Sequence, residues 1–197
     1  MPGKFIVIYG INNLGKSTQV KLLTDRLNAT GYNVEAIKYP IYDLEPTGQI
    51  INNYLREGNQ YNISPREAQL VYAMNRMQYE PTLKEKLDAG INIIAEDYTG
   101  AGLAWGSAMG VDEHFLRRIN SSLLNEDLVF LFKGDRFIGA KEENHILENN
   151  NSLLEQARAN LDRLGKEFGW IDVNANRTKE EINDLLWGEV ISIITKA

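Results

Sequence analysis

The chain of 197 residues has the length of one domain with a sizeable core. Its 43% hydrophobic and 24% charged residues are those of a soluble globular protein, and a formal net charge of −6 argues against a binder of nucleic-acid polymers. Cysteine is absent, which excludes disulfides and thiolate metal sites. The N-terminus leads into an apolar run without a secretory pattern, and no stretch approaches the length of a membrane span, so the expected location is the cytoplasm.

Residues 4–9 (KFIVIY) form a short apolar run without a turn signal, as a buried parallel strand reads. The stretch GINNLGKS, Gly10 to Ser17, follows at once and matches the phosphate-loop pattern G-x-x-x-x-G-K-[ST]. Val20, Leu22, Leu23 and Leu27 then recur at helical spacing until Gly31. Strand, glycine loop and helix together are the context this motif needs, because glycines let backbone N–H groups close around phosphate oxygens at a helix N-terminus. Gly10, Asn12, Asn13, Leu14, Gly15, Lys16, Ser17 and Thr18 are therefore the candidate ATP-binding residues. Lys16 is placed to reach the outer phosphates, and the Ser17 hydroxyl to ligate magnesium.

Further strands are expected at 34–39, 91–96, 128–132 and 170–173, and helices at 47–57, 65–89, 100–125 (broken near Gly110), 152–168 and 178–195. Alternation of this kind predicts an α/β protein with a parallel sheet covered on both faces, and ligands at the C-terminal strand ends. The second strand ends in Lys38-Tyr39-Pro40, either a plain exit or a cation, an aromatic face and a rigid turn at the rim. The third ends in Glu96-Asp97-Tyr98, two carboxylates where apolar character stops. They are candidates for a magnesium shell, the alternative being a solvated strand end.

On the helix at 65–89, Gln69, Tyr72 and Arg76 are spaced three and four apart and share one stripe. Spacing alone leaves open whether this face packs into the core or offers a base an amide, a ring and a guanidinium. Residues 133–150 are polar and carry Lys133, Arg136 and Lys141, as expected of a lid or of a charged loop. His114 and His145 lack a ligand partner at helical spacing. Trp170 and Trp187 read as core, and Trp105, beyond the third strand, as a possible cleft residue.

Together these segments resemble the thymidylate kinase family of P-loop nucleoside monophosphate kinases, in order and over most of the chain. The resemblance rests on FIVIYGINNLGKSTQ, on KYP followed by TGQIINNYL, and on YAMNRMQYEPTLKEKLDAGINIIAEDYTGAGLAW. It implies a P-loop NTPase-type three-layer α/β/α sandwich with a five-stranded parallel sheet, ATP as donor with Mg2+, dTMP as acceptor, and a homodimer. It implies further that Tyr72 stacks on the acceptor base and Arg76 holds base or phosphate. By the same resemblance Lys38, Tyr39, Pro40, Gln69, Tyr98 and Trp105 frame the acceptor pocket, while Lys16 and Arg136 (the lid cation) are catalytic. Ser17, Glu96 and Asp97 would serve the metal, Glu96 as its main support and Asp97 either adding to that shell or pairing with Lys38.

The chain departs from that pattern at three places. Asn12 stands where the family usually has an acidic residue, Asp97 where it has an arginine, and KYPIYDLEPTG lacks the customary arginine. Unit charges 4 Å apart interact by roughly 4 kcal/mol at an effective dielectric of about 20, so these changes bear on the acceptor's charge. Two alternatives follow: a pyrimidine nucleoside kinase with Glu96 as base, whose neutral acceptor needs no cationic clamp, and a nucleotide-binding module without catalysis.

Overall fold

The computed structural model describes residues 2–137 and 150–195. The strands are β1 (Phe5–Tyr9), β2 (Val34–Lys38), β3 (Asn92–Glu96), β4 (Leu128–Lys133) and β5 (Ile171–Asn174). They form one parallel sheet in the order β2-β3-β1-β4-β5. Every residue of β1 and β3 is buried, as the unbroken apolar runs require of strands covered on both faces. Ile8 is level with Glu96 on one side and Phe130 on the other, so the ends of β1, β3 and β4 reach one rim.

The helices among the described residues are α1 (Lys16–Ala29), α2 (Thr47–Arg56), α3 (Pro65–Asp88), α4 (Thr99–Ala108), α5 (Glu113–Asn120), α6 (Asn151–Phe168) and α7 (Lys179–Ile194). α1 packs with α7, while α4 packs with α3, α5 and α6, giving the two outer layers of the sandwich. The helix expected at 100–125 is two helices. Gly110 turns the chain at φ 81°, and the Asp112 side chain accepts from the Phe115 N–H at 2.9 Å to begin α5. α5 ends at Asn120, five residues short of the expected limit, where the Asn120 amide donates to its own helix at Leu116. The central part of the lid segment expected at 133–150, with Lys141 and His145, lies outside the described residues.

Candidate active site

The phosphate loop is shaped by its two glycines. Gly10 has φ 153°, and a Cβ there would lie 3.0 Å from the Phe132 carbonyl oxygen; Gly15 caps α1 at φ 81°. Between them the chain doubles back, and buried Lys16 donates to the carbonyls of Gly10 (2.8 Å) and Ile11 (3.1 Å). The loop opens into a cavity of about 670 Å³ that runs across the rim of the sheet. Asn12, Asn13, Leu14, Gly15, Lys16, Ser17 and Thr18 line one part of it; Gly10 does not, and serves the loop through its carbonyl and its lack of a side chain.

At the end of β3 the carboxylates divide. Glu96 accepts from Ser17 Oγ at 2.5 Å and pairs with Lys38 at 3.0 Å. Burial raises its carboxyl, but Lys16, Lys38 and the Ser17 hydroxyl outweigh that and hold it below the ordinary range. Asp97, in the left-handed region at φ 60°, lies 3.8 Å from Lys16. Burial, with Glu96 adding to it and Lys16 opposing, pushes its carboxyl up to about 6. The sequence suggested Lys38 or a metal as the partner of Asp97; Lys38 belongs instead to Glu96, and the ammonium nearest Asp97 is that of Lys16.

The far end of the cavity is walled by Lys38, Tyr39, Pro40, Gln69, Tyr72, Arg76, Tyr98 and Trp105, so the stripe on α3 and the two strand ends do meet. Arg76 is buried and donates to Asn120 Oδ1 at 2.9 Å, yet its Nε has no hydrogen-bond partner. Burial lowers its affinity for the proton, while Tyr9, Tyr98, Tyr39 and Tyr72 act in the opposite sense. Gln69 Oε1, Tyr39 OH and Tyr98 OH are likewise buried without a partner. A Cβ on Gly102 would lie 2.8 Å from Arg76 Nη2 and 3.3 Å from Gln69 Oε1, so these two groups converge on a glycine that leaves them room. Buried orphan donors and acceptors at one spot are costly unless a ligand completes them.

Other residues here act through contacts that the sequence does not show. Asn75, wholly buried, exchanges hydrogen bonds of 2.8 Å with both backbone groups of Ile41 and so fixes the turn after Pro40. Arg56, at the end of α2, reaches the same wall and lies 4.9 Å over the Tyr42 ring; a cation missing from the local stretch KYPIYDLEPTG is thus supplied from the next helix. Arg136 is not on the cavity wall: its Nε donates to the Asn12 carbonyl at 3.3 Å. Lys133 is taken up by Asp162 and Asp172 and is no candidate for a lid cation. Trp170 is half-buried against the core the sequence suggests for it, stacked on Tyr9 at 4.5 Å.

For Mg2+ the residues fit. Ser17 Oγ and the Glu96 carboxylate are hard oxygen donors in mutual contact beside the phosphate loop, with Asp97 next in the chain. Magnesium is commonly held by one or two protein oxygens together with substrate phosphates.

A phosphate loop on a parallel sheet, facing a pocket lined by aromatic and amide groups, defines a P-loop phosphotransferase with a small-molecule acceptor. A sequence model described as thymidylate kinase matches residues 8–186. The thymidylate kinase of Dictyostelium discoideum is 30% identical over 92% of this chain and 82% of its own length, and that of Arabidopsis thaliana 33% over 91% and 68%. The solved structure of Candida albicans thymidylate kinase superposes with a TM-score of 0.80, covering 97% of this chain and 92% of that one at 23% identity. The chain belongs to the thymidylate kinase family of ATP-dependent phosphotransferases.

Proposed function

We propose that the protein transfers the γ-phosphoryl group of ATP to the 5′-phosphate of dTMP, giving dTDP and ADP. The observation that carries the acceptor is a pair of unsatisfied groups on two side chains that converge on Gly102. Gln69 Oε1 is an acceptor and Arg76 Nε a donor, and a thymine ring offers an N–H flanked by two carbonyls to match them. Tyr72, between these two residues on α3, supplies a ring face for the base, and Tyr39, Pro40, Tyr98 and Trp105 close the pocket around it.

The phosphate loop holds the donor's phosphates with its backbone N–H groups at the start of α1. Lys16 leaves the Gly10 and Ile11 carbonyls to follow charge onto the oxygen between the β and γ phosphorus atoms. Ser17 and Glu96, with Asp97 beside them, would hold Mg2+, which when bound neutralises charge on the transferring group. The acceptor phosphate oxygen attacks phosphorus as the bond to the ADP oxygen breaks, so no proton need move in the central step. Lys38 and Arg56 are the remaining described cations near the acceptor's phosphate path, and Arg136 borders the phosphate loop from the β4 side.

A second copy of the chain is the proposed partner. Leu70, Met74 and Met77 recur at helical spacing on the outer face of α3, at 40%, 53% and 40% exposure. No helix among the described residues is long and apolar enough to cross a membrane, and we place the enzyme in the cytoplasm.

Coupled ADP release over dTMP, dUMP, dCMP, dAMP and thymidine tests the acceptor. The expected order puts dTMP first by at least tenfold. Turnover of thymidine with silence toward dTMP would make this a nucleoside kinase, and ATP binding without transfer to any acceptor would remove catalysis altogether.

A further inference from the structure

Phe137 is a large aromatic left 56% exposed beside the phosphate loop. It is not loosely placed. Its N–H donates to the Asn13 carbonyl at 2.8 Å, and its ring edge is 3.7 Å from where a side chain on Gly15 would begin. The chain just before it is latched to the loop after β5. The Asn176 side chain accepts from the Asp135 N–H at 2.8 Å and donates to the Asp135 carboxylate at 2.9 Å, while the Ala175 N–H donates to the Lys133 carbonyl at 2.8 Å. That latch sets Phe137 and Arg177 in the wall of one cavity, at the end opposite Tyr72.

Among the described residues at this end, Phe137, Ala175 and Ile182 are apolar, and the Gln19 amide is committed at both ends. Gln19 Nε2 donates to the Lys179 carbonyl at 2.9 Å, and Gln19 Oε1 accepts from Asn183 at 3.4 Å. Stacking on an aromatic ring is indifferent to base identity because every base has a π-face, and discrimination between bases needs hydrogen bonds to their edges.

We infer that Phe137 sets donor specificity: its ring stacks on the base of the phosphoryl donor opposite Arg177, so that the site selects a nucleoside triphosphate by phosphates and ring face and takes ATP and GTP alike. This rests on reading the phosphate-loop end as the donor site. An exposed aromatic fixed by its own backbone costs little ordering when the base arrives, and the base covers apolar surface that is otherwise wet.

Equilibrium titration of the full chain with Mg2+ and ATP, GTP or inorganic tripolyphosphate tests this without relying on turnover. Wild type should bind ATP and GTP within about tenfold of each other. Phe137→Ala should weaken both by about 5- to 150-fold, the range expected for one base stack, leave tripolyphosphate unchanged, and be rescued by Phe137→Tyr. GTP bound a hundredfold or more weaker than ATP, an unaltered affinity in Phe137→Ala, or an equal loss of tripolyphosphate would each overturn the inference. A protein that binds in the expected pattern yet transfers nothing to dTMP would leave the inference standing and refute the proposed reaction.

Discussion

Asp97→Asn should make the folded protein more stable at neutral pH, and the gain should vanish in acid. The Asp97 carboxyl is pushed up to about 6 in the folded chain, chiefly by burial, against about 3.9 in an unfolded one. Two units of difference correspond to about 3 kcal/mol. In the unfolded chain the group ionises near pH 4, whereas the folded chain keeps its proton until about pH 6. Between those values the folded state binds more protons, so stability falls as pH rises, and above pH 6 the whole penalty is present. Asparagine needs no ionisation and tolerates the left-handed backbone at φ 60°. Lys16, 3.8 Å away, opposes the shift, and its attraction is already contained in that value. A stabilisation of about 1–3 kcal/mol at pH 7.5 is expected. Urea unfolding at pH 7.5 and pH 4.5 measures it through the midpoint at constant m. A variant less stable than wild type at pH 7.5, or an effect equal at both pH values, would refute the electrostatic account of this carboxyl.

Tyr72→Ala should weaken dTMP by about 5- to 150-fold and ATP hardly at all, as a lost base stack would; equal losses in two separate titrations would make Tyr72 a core residue only. Gly102→Ala puts a methyl 2.8 Å from Arg76 Nη2, so the guanidinium must move. KM for dTMP should rise about tenfold or more with KM for ATP unchanged, and an unaltered dTMP KM would mean that Arg76 does not touch the acceptor. Glu96→Gln removes the carboxylate that Ser17 and Lys38 share. The Mg2+ concentration for half-maximal rate should rise about tenfold or more, and a rate loss at unchanged Mg2+ dependence would shift the metal role to Asp97.

The phosphate loop was legible in the sequence because its chemistry is local. Glycines, Lys16 and Ser17 must follow one another between a strand and a helix, and they do. The sheet was legible because buried parallel strands read as unbroken apolar runs, with an end misplaced by one residue in each strand and both ends in β5. The acceptor pocket was only half legible. The spacing of Gln69, Tyr72 and Arg76 shows a shared face, but that the face meets a cavity depends on Gly102 and Asn120, far away in the chain. The contacts of Arg56, Asn75 and Phe137 were not legible, since each acts on a distant segment: α2 with the β2 exit, α3 with Ile41, the β4 exit with Asn13. That Lys16, and not Lys38, is the ammonium nearest Asp97 was illegible for a related reason. The two adjacent carboxylates face different lysines because the left-handed turn at Asp97 swings its side chain away from that of Glu96.

The central claim is phosphoryl transfer from ATP to the phosphate of dTMP at the loop that holds Lys16. It is tested most directly by incubating the protein with Mg2+, dTMP and ATP labelled in its γ-phosphate, then resolving the products. The account predicts label in the β-phosphate of dTDP with wild type and none with Lys16→Ala, which should remain folded because Lys16 lines the cavity and its hydrogen bonds go to carbonyls of the loop itself. Label found only as inorganic phosphate, or as dTDP formed equally well by Lys16→Ala, would contradict it.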